Sequence, residues 1–173
     1  LAQYGSPWRL KLIYDANLQS SFMAGRRDRQ LENASERPYW MYVAVMDSRT
    51  RPQHRALHGR VFRYDDPFYG AFYPPNGYRC RCRVRTLSSD RVGSGPGQTP
   101  PSTSTGRLDQ VEVPLSTKNP DAGTTKVSRF EYAPGKHVTT DPGWSHPPGS
   151  VWKPELERYD ADLVEQYRKG NKK

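Results

Sequence analysis

One stretch of the sequence decides the fold: Pro38-Tyr39-Trp40-Met41-Tyr42-Val43-Ala44-Val45-Met46. Nearly every position is apolar, so the stretch lacks the alternation of a strand that keeps one face in water. A continuous apolar run of this length is typical of a strand that is covered on both faces. We therefore expect a central strand here, in a sheet that lies inside the fold.

A helix is predicted before this strand, over residues 8–33. Ser6 and Pro7 just upstream are suitable N-cap and first-turn residues. Arg26, Arg27 and Arg29 place positive charge in the final turns, where it complements the helix dipole. Apolar residues recur at three- and four-residue steps along one stripe, formed by Leu10, Ile13, Tyr14, Leu18, Phe22 and Gly25.

Short elements and long loops are predicted after the central strand. Thr50 and Pro52 open a short helix, which Gly59 can close in the left-handed conformation. Residues 64–79 are aromatic and rich in proline, which predicts a loop. Short strands are expected at 60–62, 80–87, 110–115 and 136–140. A turn is expected at Asp141-Pro142-Gly143-Trp144, and a last amphipathic helix is expected to begin at Pro154.

The predicted fold class is α+β, with the N-terminal amphipathic helix packed on a small sheet, long loops and a C-terminal helix. The composition changes after Leu87, because residues 88–106 are almost entirely Ser, Gly, Thr and Pro. Such a stretch is typical of a flexible loop or linker. We therefore predict a core domain over 1–87, a linker over 88–106, and a C-terminal lobe over 107–173 that holds short strands and the last helix.

The composition allows one modest core. Hydrophobic residues make up only 34% of the 173 residues, and 14 Gly with 16 Pro favour long loops. No apolar run reaches the length that a membrane span requires, so no membrane is expected as a partner. Cys80 and Cys82 are separated by one residue, a poor geometry for a disulfide, so a reducing compartment is expected. The chain begins with Leu1 rather than Met, and we expect a fragment or a processed product.

Positive charge is concentrated in the first half of the chain. Residues 1–91 hold 16 Arg and Lys against 8 Asp and Glu, and nearly all of these cations are Arg. The guanidinium fork matches phosphates and carboxylates, so a nucleic acid or an acidic protein surface is a candidate partner. A solvated basic face is the alternative. The candidate binding residues are Arg49, Arg51, Arg55, Arg81 and Arg83.

Two histidines and two cysteines form a candidate metal site. His54 and His58 are four residues apart and share a face of the predicted short helix. Cys80 and Cys82 share a face of their predicted strand. Two imidazoles and two thiolates are a suitable tetrahedral set for a structural zinc, which would strengthen a small, loop-rich domain. In the alternative, the histidines are caps or surface groups and the cysteines are small buried apolar residues.

A catalytic role is the less favoured interpretation. Asp47, His54 and His58 could act as base, orienting group and ligand in a metal-dependent hydrolase. Four protein ligands would, however, close the open position that a catalytic zinc needs. No nucleophile motif, phosphate-binding Gly loop or paired-carboxylate arrangement accompanies them. We therefore predict a protein that is not an enzyme, with a metal-dependent nuclease or a nucleic-acid-binding module as alternatives.

Several separated motifs resemble those of phage Mu F-like minor head proteins. The run Leu12-Ile13-Tyr14-Asp15-Ala16-Asn17-Leu18-Gln19-Ser20, followed by Met23-Ala24-Gly25-Arg26, is similar to the helix that precedes the family's core. That core is resembled in order and spacing by Pro38–Tyr42, Asp47–His54, Leu57–Gly59, Asp65–Pro67, Pro74–Gly77 and Cys80–Cys82. Asp141-Pro142-Gly143-Trp144, followed by Pro147-Pro148-Gly149, looks like a later family motif.

The resemblance implies a minor capsid or head-morphogenesis protein that acts in prohead assembly at the portal vertex. Portal and capsid or scaffold proteins are the implied partners, and packaged DNA is a further candidate. The implied location is the virion head, with the host cytoplasm during assembly. Gram-positive phage relatives carry Cys-x-x-Cys and Pro-Pro-x-His-Pro-x-Cys-x-Cys. Arg51 stands at the first of those cysteines, His54 at the second, and Gly77 at the histidine, so the resemblance retains His54, Cys80 and Cys82 as ligands.

Overall fold

The structure, a computed structural model, describes residues 5–150, 156 and 160–170. Its helices are α1 (Pro7–Glu32), α2 (Pro52–Ala56), α3 (Pro67–Phe72) and α4 (Ala161–Gly170). Its strands are β1 (Tyr39–Val43), β2 (Val61–Arg63), β3 (Arg83–Leu87), β4 (Leu108–Pro114), β5 (Thr124–Ala133) and β6 (Lys136–Thr139). Single turns of 3-10 helix lie at Ser89–Arg91 and Pro120–Ala122. The predicted α+β class is confirmed.

The first sheet is antiparallel and has the order β2-β1-β3, so β1 is central as predicted. Trp40 pairs with Phe62 on one side and with Thr86 on the other. Its burial alternates: Trp40 and Tyr42 are buried, whereas the residues between and beside them are only half-buried. The prediction that both faces are covered is therefore wrong, because only one face of β1 meets the core.

The second sheet, in the order β4-β5-β6, is also antiparallel. Its strands β4 and β6 match the predictions within two residues, but β5, the longest strand at 10 residues, was not predicted. The many hydroxyl and charged side chains of β5 weaken the apolar pattern by which a strand is predicted. Its β-branched and aromatic residues, which are favoured in strands, could still have indicated it. Val127 and Phe130 are the large apolar side chains that β5 buries.

An aromatic cluster joins the two sheets. Phe68 stacks on Phe62 with ring centroids 4.1 Å apart, and its edge meets Phe130 of β5 at 5.1 Å. The short helix α3 supplies Phe68, within a region predicted to be a loop. The helix forms because Asp66 accepts a hydrogen bond from the backbone N of Phe68 at 2.9 Å and Pro67 occupies the first turn.

The Ser, Gly and Pro-rich segment 88–106 is hydrogen-bonded to the first sheet and to α3. The backbone N of Ser102 donates to Val61 O at 2.6 Å, and that of Ser104 donates to Asp66 Oδ2 at 3.2 Å. The predicted linker is thus held against the fold. The division at 88–106 stays a prediction, but Phe130 and Val138, from beyond the segment, belong to the same core cluster as Trp40.

The helix α1 matches the prediction in its bounds but not in the face that it packs. Ser6 caps it by accepting from Arg9 N at 3.3 Å. Arg26 and Gln30 each donate to Val84 O at 3.1 Å, so polar side chains hold α1 along the outer edge of β3. An edge strand presents unpaired carbonyls, which amide and guanidinium donors satisfy and apolar side chains cannot. The predicted apolar stripe consequently faces solvent.

The C-terminal part agrees with the predictions where it is described. Trp144 N donates to Asp141 O at 3.0 Å and Gly143 has a φ of 82°, so the predicted turn is present. The helix α4 is present, while its predicted start at Pro154 lies outside the described residues. None of the described helices is both long and apolar enough to cross a membrane.

Candidate metal centre

The structure brings together three of the four predicted metal ligands. His54 lies on α2, while Cys80 and Cys82 lie in the segment just before β3 rather than on the predicted strand. All three side chains are buried, and their ligand atoms lie within 4.8 Å of one another. His54 Nδ1 is 3.6 Å from the Sγ of Cys80 and also 3.6 Å from that of Cys82.

These separations fit a tetrahedral zinc. Bonds of about 2.3 Å to sulfur and about 2.0–2.1 Å to nitrogen, at tetrahedral angles, place a sulfur and a nitrogen ligand about 3.5 Å apart. Weak S–H to nitrogen hydrogen bonds without a metal would hold the same three atoms together. The donor set and the spacing are therefore suitable for a metal without requiring one.

The pKa values of the two cysteine thiols are shifted in opposite directions. A hydrogen bond from Cys82, assisted by one with His54, lowers the pKa of Cys80 against the opposing effect of burial. The same bond to Cys80, together with burial, raises the pKa of Cys82. The hydrogen bond between the two sulfurs thus favours one thiolate and one thiol in the pair, and thiolate is the form that binds metals.

A buried polar layer supports the cysteines. Asn76 Nδ2 donates to the hydroxyl oxygen of Tyr42 at 3.0 Å and to Phe72 O at 3.2 Å. Burial, followed by the nearby cysteines, raises the pKa of Tyr42 well above its ordinary value. Tyr42 is therefore a neutral hydroxyl beside Cys82. Sequence reasoning missed both Tyr42 and Asn76 as supporting residues, because neither carries a ligand atom that a motif would mark.

His58, the predicted fourth ligand, lies apart from this group. Its Nδ1 accepts a hydrogen bond from the backbone N of Ala44 at 3.2 Å, just beyond the end of β1. The i, i+4 relation to His54 fails because α2 ends at Ala56, and Gly59 then turns the chain with a φ of 80°. The described residues of this cluster thus supply three donors.

Three of the five candidate binding arginines form ion pairs within the chain. Arg81 contacts both carboxylate oxygens of Asp47, at 2.6 and 2.8 Å, and Arg49 lies 3.8 Å from the same carboxylate. The hydrogen bond from Arg81 holds the pKa of Asp47 well below its ordinary value. Arg51 pairs with Asp141 at 2.6 Å. Arg55 and Arg83 are exposed and have no ion pair among the residues described.

The arrangement does not assemble the alternative hydrolase site. Asp47 is bound to Arg81 and to Thr50, and His58 is bound to the backbone of Ala44. Asp47, His54 and His58 therefore do not converge on one point. What the arrangement can do chemically is hold a metal ion between α2 and the segment that leads into β3.

Arg51 and Gly77, the two positions that depart from the resemblance, lie beside each other at the ion pair between Arg51 and Asp141. A side chain at Gly77 would collide with the carboxylate of Asp141 and with the guanidinium of Arg51. Arg51 also donates to Tyr78 O at 3.2 Å. These positions thus belong to a polar contact between residues 90 apart in sequence, beside the His54 cluster. Sequence reasoning could not find this contact, because no local pattern links Arg51 to Asp141.

A cavity of about 210 Å³ opens beside the cluster. His54 and Cys80 are among the residues that line it, and so are four arginines: Arg49, Arg51, Arg79 and Arg81. The cluster is therefore buried but has a polar, positively charged opening on one side.

Comparison with known proteins relates the chain to phage head proteins. Residues 2–85 match the family model described as Phage Mu protein F like protein. The chain is 42% identical over 172 residues to "Putative capsid assembly protein F" of Escherichia phage Mu, covering 95% of this chain and 39% of that protein. It is 39% identical over 149 residues to "Mu-like prophage FluMu F protein" of Haemophilus influenzae, covering 86% of this chain and 36% of that protein.

The chain thus spans less than half the length of these two relatives. No solved structure matches it at a significant level. The matched residues include α1, β1, the His54 and cysteine cluster and the start of β3. On these grounds the chain belongs to the phage Mu F-like protein family.

Proposed function

We propose that this chain is a non-catalytic part of a phage head protein that acts in prohead assembly at the portal vertex. The observation that carries the proposal is its 42% identity, over 95% of the chain, to the Mu protein named for capsid assembly. The arginine-rich first half supports contact with acidic surfaces of portal, capsid or scaffold proteins. Packaged DNA is the other surface that this charge would fit.

Deletion of the gene from its phage or prophage tests the assembly role. We expect fewer infectious particles and heads that are defective by electron microscopy, with restoration by a plasmid copy. Normal titres and normal heads would refute the assembly role. Cross-linking of purified proheads, followed by mass spectrometry, tests the location: linkage to portal subunits is expected, and linkage to the capsid lattice alone would refute the portal vertex.

Incubation of the purified protein with DNA and RNA across divalent metals tests the absence of catalysis. We expect no cleavage, because Asp47, His54 and His58 do not converge. Cleavage that disappears in His54→Ala would overturn this part of the proposal.

We also propose that His54, Cys80 and Cys82 hold a structural zinc ion. The separation of 3.6 Å between His54 Nδ1 and each sulfur supports this assignment. The ion would join α2 to the segment before β3, and solvent from the adjoining cavity could supply the fourth donor. Three protein ligands with solvent as the fourth is also the ligand count of a catalytic zinc. The structural role proposed here therefore rests on Asp47 and His58 being held away from His54 by other partners, and the cleavage assay above tests it.

Elemental analysis of untagged protein, purified without chelator or metal-affinity resin, tests the zinc. We expect about one zinc per chain. His54→Ala should lose it, whereas the matched variant His58→Ala should keep it. Protein without zinc, in which both cysteines react freely with a thiol reagent after unfolding, would show that the cluster is packing alone.

A further inference from the structure

A ridge of large apolar side chains runs along the solvent side of α1. Leu10, Tyr14, Leu18 and Phe22 are spaced by four residues, and each is between 56% and 66% exposed. This set, here called the α1 ridge, follows the i±4 row that packs into the groove of another helix in the commonest class of helix contact. Exposed apolar residues scattered singly need no explanation, but a continuous row marks an interaction surface.

The chain cannot cover this ridge by turning α1 over. Successive residues of a helix are separated by about 100°, so Tyr14 and the buried Met23 lie on opposite sides of α1. The Met23 side is fixed to the edge of β3, since Arg26 and Gln30 donate to Val84 O. Gln30 also accepts from the hydroxyl of Tyr73 at 2.8 Å. The α1 ridge therefore lies on the side of α1 that faces away from the core.

The end of the ridge leads into a positively charged groove. A cavity of about 620 Å³ lies between α1 and the edge of β3, and Phe22 is one of its walls. Its lining contains Arg26, Arg29 and Arg37 and no carboxylate. Gly25 leaves open space there, because a Cβ at this position would meet nothing within 4 Å. The Nε of Arg26 is buried and has no hydrogen-bond partner among the described residues.

We infer that α1 docks an acidic amphipathic helix of another head protein. The apolar face of that helix packs on the α1 ridge, and its carboxylates pair with the arginines of the groove. The ridge from Leu10 to Phe22 is roughly 18 Å long, which corresponds to about 12 residues of partner helix. The inference rests on the proposed function only for the class of partner, a head protein.

The charges favour this occupant over two others. A second copy of the chain would bring its own α1, which carries five cations against three carboxylates, so its net positive charge would oppose that of the groove arginines. A nucleic acid would satisfy the arginines through its phosphates but would leave the apolar ridge exposed to water. Only a surface that is apolar and acidic matches both parts of the site.

Site-specific photo-cross-linking tests the inference. The full chain is expressed with the other head proteins of its own phage, with p-benzoylphenylalanine in place of Leu18. The control carries the probe in place of Leu115, which is 50% exposed and lies after β4. Mass spectrometry should identify an acidic helical segment of another head protein linked to position 18 and absent at position 115. Arg29→Glu combined with Arg37→Glu should reduce that product at least tenfold.

Each other outcome counts against the docking surface. A product that links two copies of this chain, a product with nucleic acid, the same product at both positions, or no product at position 18 would overturn it. The deletion experiment reports on the proposed function separately. Defective heads on deletion together with no product at position 18 would remove only the docking surface. Normal heads on deletion would remove the assembly role itself.

Discussion

Truncation of Phe130 to alanine tests whether the two sheets share one core. Phe130 is the β5 residue whose ring meets Phe62 at 5.8 Å, Phe68 at 5.1 Å and Phe72 at 6.3 Å, and it is fully buried. Buried Phe to Ala changes cost about 3–5 kcal/mol, because apolar area is lost and the cavity closes only in part. Three ring neighbours that belong to other elements leave little scope for collapse. We therefore expect Phe130→Ala to lower the free energy of unfolding by about 4 kcal/mol.

Urea unfolding, followed by tryptophan fluorescence and by circular dichroism, measures this loss. With a slope of about 2 kcal/mol per molar urea, a loss of about 4 kcal/mol moves the midpoint by roughly 2 M. Phe130→Leu keeps most of the volume and should cost less than about 1.5 kcal/mol. Leu115→Ala, at an exposed position, should change stability by less than about 0.5 kcal/mol.

The reasoning fails on either of two results. A loss below about 1 kcal/mol for Phe130→Ala would mean that the ring does not support the first sheet. Two separate transitions, with the effect of Phe130→Ala confined to one of them, would mean that the second sheet unfolds independently. That second result would favour the predicted division into a core domain and a C-terminal lobe.

Three further changes probe the contacts around the first sheet. Gln30→Leu should cost about 1–3 kcal/mol in urea unfolding, because the buried hydroxyl of Tyr73 loses its acceptor and the carbonyl of Val84 keeps only the Arg26 donor. A change below about 0.5 kcal/mol would contradict it. Gly77→Ala should destabilise by about 0.5–1 kcal/mol, since the added Cβ displaces the partly exposed Asp141 carboxylate from Arg51, and the same change should cost less in an Asp141→Ala background. A chelator should lower the melting temperature of the native protein and leave that of Cys82→Ser unchanged, and equal shifts in both would contradict a zinc at the cluster.

Local signals in the sequence were sufficient to predict α1, the central strand and the short helix α2. Ser6 with Pro7 marks where α1 starts, and Gly59 marks the turn after α2. The face of α1 that packs was not predictable, because it depends on the free carbonyl of Val84, 54 residues beyond Gln30. The α3 helix was overlooked although Asp66 and Pro67 form a recognisable start signal.

The candidate site was likewise predictable from the sequence only in part. The spacing of Cys80 and Cys82 and the position of His54 on α2 were enough to propose their meeting. The inclusion of His58 depended on a helix that continued to residue 58, whereas α2 ends two residues earlier. The pairing of Arg51 with Asp141 joins distant parts of the chain, so only the tertiary fold could reveal that these charges neutralise each other.

Contacts at both edges of the first sheet have a consequence for how another chain could bind there. On one border the side chains of α1 take the Val84 carbonyl, and on the other Val61 bridges to Pro101 and accepts from Ser102. Strand addition from a neighbouring chain requires free backbone donors and acceptors along such a border. Both edges of β2-β1-β3 are thus obstructed against the addition of a strand from another chain, so a neighbour would bind the first sheet through side chains rather than by extending it.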